Sequence, residues 1–201
     1  MYGSSQNMLM EIPKLSKRLE ILEMSSNHLE ALDESFSDFP RLTTIQLTCN
    51  SIRKVHENAF TNCENLIQVD LSINSLTEFP EGLVKASSIE WLDLSYNQIE
   101  NLPEAIKNMN LSSLYASNNK LNSQSLENIC GIKNLQSLNL NSNYLQDLTD
   151  KFENLKFLQN LWLAENRFIE FPDVISKLRF MANVKNIEYF IILQKKIIKL
   201  L

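Results

Sequence analysis

Two carboxylates at equivalent points of neighbouring segments are the first residues whose spacing could support chemistry. Asp70, in V-D-L-S, and Asp93, in L-D-L-S, lie 23 residues apart. If both segments are adjacent strands of a parallel sheet, the carboxylates would lie about 5 Å apart, the separation of the catalytic pair in a retaining glycosidase. Serines and an open strand surface surround them, with nothing to exclude water, so the sequence favours a non-catalytic role.

Other signatures of catalysis or cofactor binding are missing from the sequence. His28 and His56 have no paired cysteine or acidic cluster at the spacing of metal ligands. Gly3, Gly82 and Gly131 are too far apart to form a phosphate-binding loop, and no serine lies in a G-x-S-x-G motif. We therefore predict a protein that is not an enzyme and that binds no metal or cofactor.

A repeating unit positions these side chains. In its clearest copy, at residues 89–99, the sequence I-E-W-L-D-L-S-Y-N-Q-I has apolar residues at unit positions 1, 4, 6 and 11 and an asparagine at position 9. Seven copies follow one another between residues 19 and 175. Their position-9 asparagines recur every 22–24 residues and are Asn27, Asn50, Asn74, Asn97, Asn119, Asn143 and Asn166. Self-similarity at this period predicts a stacked repeat architecture.

The unit combines a short strand with a turn. Positions 3 to 7 alternate between polar and apolar residues, which is typical of a strand with one buried face. A single short strand cannot bury that face alone, whereas parallel strands stacked about 4.8 Å apart form a continuous core. The asparagine follows the strand, where its amide can both donate to and accept from backbone groups. We therefore predict a structural asparagine ladder and not a binding site.

The return segments between strands differ among the repeats. Those at residues 79–83, 102–106 and 171–175 read F-P-E-G-L, L-P-E-A-I and F-P-D-V-I. Proline prevents the sheet from continuing, and the acidic residue after it suits the first turn of a short helix. The segment at residues 122–129, N-S-Q-S-L-E-N-I, lacks proline and predicts a longer helix.

The unit resembles the signature L-x-x-L-x-L-x-x-N-x-L of the leucine-rich repeat family over residues 19–171. The resemblance implies an α/β repeat solenoid: a horseshoe with a parallel concave sheet and with short helices, 3₁₀ turns and loops on the convex side. The L-P-x-x-I return segment resembles intracellular signalling members. The run L-Y-A-S-N-N-K-L at residues 114–121, with the helical segment after it, resembles the repeat region of the PH-domain leucine-rich-repeat protein phosphatases.

The two ends depart from the repeat. Residues 1–18 match a partial or degenerate N-terminal repeat, which is either a cap or the cut end of a longer array. Residues 176–201 are predicted to be a divergent C-terminal cap or a basic amphipathic segment. A loose repeat copy can be drawn with Ile187 at position 1 and Lys195 at position 9. The same residues could instead form a helix that covers the core or lies on an anionic membrane surface.

Charge and cysteine content bear on the partner and on the location. The net charge is −5, and residues 176–201 hold six basic residues and one acidic residue, so the repeats are the acidic part of the chain. An acidic array argues against nucleic acid as a partner. Cys49, Cys63 and Cys130 do not form the clusters that cap secreted members of the family, and neither a signal peptide nor a membrane span is visible. We therefore predict a cytoplasmic protein, with a nuclear location as the alternative, and not a secreted one.

Positions 3, 5, 7 and 8 point away from the predicted core or rim it, and they hold a candidate binding patch. The patch comprises aromatic and acidic residues: Trp91, Tyr96, Tyr115, Trp162, Asp70, Asp93 and Glu23. An exposed tryptophan gives no folding benefit, whereas Trp and Tyr are frequent anchors of protein interfaces. The alternative is that these rings pack on one another and cover the sheet.

The predicted function is a non-catalytic protein-interaction module, an adaptor or scaffold in signalling, that binds a protein partner on the concave face. The acidic flank predicts a partner that presents a basic side chain beside an apolar one. The alternative function is the regulatory or targeting region of a larger signalling enzyme, such as a protein phosphatase. Contact of the C-terminal basic segment with a membrane is a further alternative.

Overall fold

The computed structural model describes residues 17–170 and 172–175 with their side chains, and residues 186–188, 190–193 and 196–199 as strands. Almost all of the predicted N-terminal partial repeat therefore lies outside the described residues. Within the described part, no helix is long and apolar enough to cross a membrane.

One parallel sheet of eight short strands carries the repeats. Its strands, in spatial order, are β1 (Ile21–Glu23), β3 (Thr44–Gln46), β5 (Gln68–Asp70), β6 (Trp91–Asp93), β7 (Ser113–Tyr115), β8 (Ser137–Asn139), β9 (Asn160–Trp162) and β10 (Asn186–Glu188). The first seven are unit positions 3 to 5, and the register aligns equal unit positions on every neighbour. The prediction of a parallel-sheet repeat solenoid is confirmed.

Burial within each strand follows the predicted alternation. The central residue of β3 and of β5 to β9 is buried, and the residues on both sides of it are half-buried. Val69, Leu92 and Leu114, for example, are 0% exposed and lie in one continuous core with the apolar residues at positions 1, 6 and 11. Positions 3 and 5 therefore form the outward, concave face of the sheet.

Short helices and turns return the chain along the convex side. Among the described residues, 3₁₀ helices span Glu34–Asp38, Glu81–Lys85, Glu104–Asn108 and Asp150–Asn154, and an α-helix, α1, spans Ser123–Ile129. The longer helix predicted at residues 122–129 is therefore confirmed. The Asn122 side chain caps α1 by accepting from the Gln124 backbone N–H at 3.0 Å. A flanking pair of two-residue strands, β2 (Ala31–Leu32) and β4 (Lys54–Val55), is also parallel.

Strands occupy the described part of the C-terminal region. β10 continues the main sheet, and Ile187 pairs with Leu161, which occupies position 4. The loose repeat copy, which placed Ile187 at position 1, is therefore out of register. β11 (Phe190–Leu193) and β12 (Lys196–Lys199) form an antiparallel pair, so the structure has strands here where a helix was the alternative.

Candidate protein-binding face

The asparagine at position 9 links successive repeats through its amide. The Asn97 Nδ2 group donates to the carbonyls of Leu71 and Leu94, both at 3.0 Å, and its Oδ1 accepts from the Leu76 N–H at 2.9 Å. The same arrangement recurs at Asn50, Asn74, Asn119, Asn143 and Asn166. Because backbone partners occupy these amides, they are not available to a ligand.

Three rings form a row across the concave face, here called the aromatic row: Trp91 on β6, Tyr115 on β7 and Trp162 on β9. The ring centroids of Trp91 and Tyr115 are 5.5 Å apart with planes inclined by 44°, and those of Tyr115 and Trp162 are 6.5 Å apart with planes inclined by 34°. Asn139 of β8 lies in register between Tyr115 and Trp162, so these two rings meet across a strand. All three side chains are half-buried.

The aromatic row combines the two roles that the sequence allowed. The rings cover part of the sheet, and contacts of this kind contribute about 0.5–1.5 kcal/mol each beyond area burial. They also keep part of their surface exposed to solvent. The row can therefore stabilise the fold and still offer an apolar, π-rich surface to a partner.

Two carboxylates adjoin the aromatic row and are here called the acidic pair: Asp70 on β5 and Asp93 on β6. The register places Asp93 directly between Asp70 and Tyr115. Asp70 Oδ1 accepts from the Ser72 N–H at 2.9 Å and from the Ser72 hydroxyl at 2.6 Å, while Asp93 Oδ1 accepts from the Ser95 N–H at 2.8 Å. The serines at position 7 therefore hold both carboxylates in place.

Burial raises the pKa of Asp93 above its ordinary value of 3.8, and hydrogen bonds from Ser95 oppose this effect. The nearby negative charge of Asp70 raises the pKa further. Asp93 is half-buried on the open concave face, so its carboxylate is partly desolvated. A cation that contacted Asp93 would recover some of the cost of its ionisation.

Tyr96 does not lie in the aromatic row but at the edge of the sheet, at position 8. Its side chain is 57% exposed. Every position-8 residue has a left-handed backbone conformation, with φ between 52° and 59°: Ser26, Cys49, Ile73, Tyr96, Asn118, Ser142 and Glu165. That conformation is uncommon for residues other than glycine and is most unfavourable for a β-branched one, at a cost of about 1–3 kcal/mol.

Ile73 is the functional candidate that the sequence-based patch omitted. It is β-branched, has φ of 52° and is 49% exposed, so about half of its surface stays in contact with solvent despite the strain. Ile73 differs from the other position-8 residues only in having a β-branched side chain at a position where the backbone is left-handed. The sequence does not reveal that the backbone is left-handed there.

Glu23 lies apart from the other predicted patch residues. It is exposed at the end of β1, and Gln46 of β3 lies in register between it and Asp70. The structure therefore brings together Trp91, Tyr115, Trp162 and the acidic pair. Tyr96 lies at the rim of that group, and Glu23 lies further along the same face.

Metal and thiol chemistry have little support on this face. The described residues contain no group of three or more His, Cys, Asp or Glu side chains that could hold a metal ion. The three cysteines are free: Cys49 is exposed, and Cys63 and Cys130 are buried.

Comparisons with known proteins agree with this architecture. The family model described as "Leucine rich repeat" matches residues 40–99. A solved complex of TLR13 with ssRNA13 superposes with a TM-score of 0.79 at 25% identity, covering 91% of this chain and 26% of the other. This chain is a leucine-rich-repeat solenoid. Internalin C2 of Listeria monocytogenes shares the fold, with a TM-score of 0.62, 17% identity and 91% coverage of both chains.

Relatives in sequence are also leucine-rich-repeat proteins. Fibromodulin of Mus musculus is 31% identical over 138 residues, which cover 65% of this chain and 36% of fibromodulin. Podocan of Mus musculus is 35% identical over 136 residues, covering 65% of this chain and 21% of podocan. The chain therefore spans little more than a third of the first of these relatives and about a fifth of the second. None of these similarities supports the resemblance to phosphatases.

The relatives correct the predicted location. Fibromodulin and podocan are secreted proteins of the extracellular matrix, which contradicts the prediction of a cytoplasmic protein that is not secreted. That prediction is wrong, and it rested on the missing cysteine clusters and on the lack of a visible signal peptide or membrane span. Packing of the core and the asparagine ladder hold the repeats together without disulfides, so cysteine content within the repeats does not report the redox environment.

Proposed function

We propose that this leucine-rich-repeat module binds a protein partner on its concave face and performs no catalysis. The observation that carries the proposal is the position of Asp93, a partly desolvated carboxylate in register beside Tyr115. The aromatic row and the acidic pair together offer π surface and negative charge at one point. Aromatic residues that remain partly exposed near the centre of a surface are typical anchors of interfaces.

The chemistry of this surface favours a lysine or arginine of the partner. A cation can rest on the rings of Trp91 and Tyr115 while it pairs with Asp93, and such contacts strengthen as water is excluded. The chain makes a similar contact internally, where the Arg167 guanidinium lies 3.8 Å from the ring centroid of Tyr144. Glu23 extends the negative surface towards β1.

Electrostatics also favour a protein over a nucleic acid. The TLR13 structure is a complex with ssRNA13, whereas the acidic pair here would repel phosphates, which need a basic surface. Binding of RNA is therefore the result that would contradict the charge argument.

Selection from a library of random 12-residue peptides displayed on phage would test the proposal. The wild-type chain should enrich peptides that carry Lys or Arg beside an apolar residue. A variant with Trp91, Tyr115 and Trp162 all changed to Ala should lose this enrichment. Phe157→Ala should retain it, because Phe157 is exposed but lies outside the concave positions.

Two outcomes would count against the proposal. Equal enrichment by the wild type and by the triple variant would remove the aromatic row from recognition. Tighter binding of a single-stranded RNA oligonucleotide than of any selected peptide would replace the protein partner with a nucleic acid.

A further inference from the structure

Ile73 and Tyr96, here called the rim pair, are the neighbouring large apolar residues at position 8. Their backbones are adjacent, because Ile73 N–H donates to the Ser95 carbonyl at 2.9 Å and Asn74 N–H donates to the Tyr96 carbonyl at 3.2 Å. The other position-8 residues are Ser26, Cys49, Asn118, Ser142 and Glu165. Exposed apolar surface on the rim is thus concentrated in two successive repeats.

Strain and exposure occur together at this pair. Ile73 has φ of 52° and Tyr96 has φ of 56°, while their side chains are 49% and 57% exposed. Asparagine tolerates this conformation far better than isoleucine does, and it occupies the equivalent position at Asn118. A strained residue that keeps about half of its surface exposed is a candidate for function.

The rim pair belongs to the same two repeats as the acidic pair. Each rim residue follows its carboxylate by three positions, as Asp70 precedes Ile73 and Asp93 precedes Tyr96. Three residues span at most about 10 Å, so the Cα atom of each rim residue lies within about 10 Å of the Cα atom of its carboxylate residue. One short segment of a partner can reach both.

We propose that the rim pair is a second anchor for the partner. The partner docks there with an extended segment that carries a basic and an apolar side chain two residues apart. This inference rests on the proposed function. The acidic pair and the aromatic row take the basic side chain, and the rim pair takes the apolar one. Alternate residues of an extended chain lie about 7 Å apart on one side, which is within the limit of about 10 Å that the three-residue step from each carboxylate to its rim residue sets.

Synthetic nine-residue peptides in a Gly/Ser background would test this spacing by fluorescence anisotropy. Each peptide carries one Lys and one Leu separated by one to five positions, and two control peptides carry only Lys or only Leu. The wild type should bind most tightly at a separation of two, which places both side chains on the same side of the extended peptide. Ile73→Asn and Tyr96→Asn should each lower that affinity about tenfold, with binding of the Lys-only peptide unchanged.

Thermal unfolding separates recognition from stability. Ile73→Asn should melt no lower than the wild type, because asparagine suits the left-handed conformation. Ser142→Asn, at the same unit position but away from the acidic pair, should leave both melting and binding unchanged. If both rim variants lost affinity and also melted at a much lower temperature, the second anchor would be overturned. The rim pair would then have a role in stability and not in recognition.

The peptide series also distinguishes this inference from the proposed function. Binding of Lys peptides with no preferred spacing and no effect of Ile73→Asn overturns the rim anchor and leaves the concave-face proposal in place. Failure of every Lys peptide to bind overturns the proposed function. In that case, binding of the Leu-only peptide by the wild type but not by Ile73→Asn would support the rim as an apolar site. Failure of the Leu-only peptide to bind would overturn the rim site as well.

Discussion

The ring centroid of Tyr115 lies 5.5 Å from that of Trp91, and Tyr115 also meets Trp162 at 6.5 Å from the other side. Tyr115 therefore links two tryptophans that belong to different strands and lie 71 residues apart in the chain. A substitution at Tyr115 acts on both ring contacts, whereas a substitution at either tryptophan acts on one.

Alanine variants of the aromatic row should separate stability from recognition. Because each ring contact contributes about 0.5–1.5 kcal/mol, Tyr115→Ala should lose about 1–3 kcal/mol of unfolding free energy through these contacts, roughly twice the loss for Trp91→Ala. Each variant should weaken binding of a selected peptide by about 2 kcal/mol or more. Urea unfolding and peptide titration measure the two quantities.

Phe157→Ala is the matched control, since it removes an exposed ring outside the concave face. It should change neither quantity. A Trp162→Ala variant that lost more than about 3 kcal/mol of stability and bound peptide normally would show that this ring only covers the sheet.

The scaffold follows from the sequence because it depends on periodic features. Alternating apolar residues predict which strand positions are buried, and Leu92 at position 4 is 0% exposed as that pattern requires. The proline-free segment at residues 122–129 predicts α1, and the structure adds that Asn122 caps it. These are local signals that repeat or that occur in one short window.

The candidate site could be predicted only in part because it depends on side-chain geometry between repeats. The register identifies Trp91 and Tyr115 as diagonal neighbours, but the contact of Tyr115 with Trp162 requires both rings to lean over β8. The left-handed conformation of Ile73 has no glycine to signal it. The raised pKa of Asp93 results from burial that an open strand surface does not suggest.

Asp93→Asn should stabilise the protein at neutral pH and weaken its binding of basic peptides. The folded-state pKa of Asp93 is raised above its ordinary value, so the unfolded chain ionises first and ionisation opposes folding. The destabilisation is absent below the ordinary carboxyl pKa of 3.8, grows as pH rises through the folded-state pKa and is complete above it. Chemical unfolding of wild type and variant from about pH 3 to pH 7 measures the difference.

Asp70→Asn tests whether the charge of Asp70 affects the pKa of the Asp93 carboxyl group. Because the charge of Asp70 contributes to the raised pKa of Asp93, this variant should lower that pKa towards its ordinary value. NMR titration of the Asp93 carboxyl carbon gives the pKa directly. An unchanged pKa of Asp93 in Asp70→Asn would contradict the coupling, and equal stability of wild type and Asp93→Asn at pH 7 would contradict the desolvation.

Alanine at Asn97 should destabilise the repeat array more than alanine at Asn27. Asn97 is buried and bonds to four backbone groups of its own and the preceding repeat, so its removal leaves buried groups unpaired at about 1–3 kcal/mol each. Asn27 is exposed, and its described bonds are to the nearby carbonyls of Met24 and Ser25. Calorimetry of both variants measures the contrast, and equal melting temperatures would contradict the ladder's role.

The three thiols should react at very different rates in the folded protein. Burial raises the pKa of Cys63 to about 11 and that of Cys130 to about 12, whereas Cys49 is exposed. At about pH 8 a thiol reagent should therefore label one equivalent in the native state and three after unfolding, and Cys49→Ser should abolish the native reaction. Because both raised pKa values favour the neutral thiols in the folded state, stability should fall as pH rises above about 9. Mass spectrometry counts the labels; fewer than three labels after unfolding would reveal a disulfide, and more than one in the native state would contradict the burial of Cys63 and Cys130.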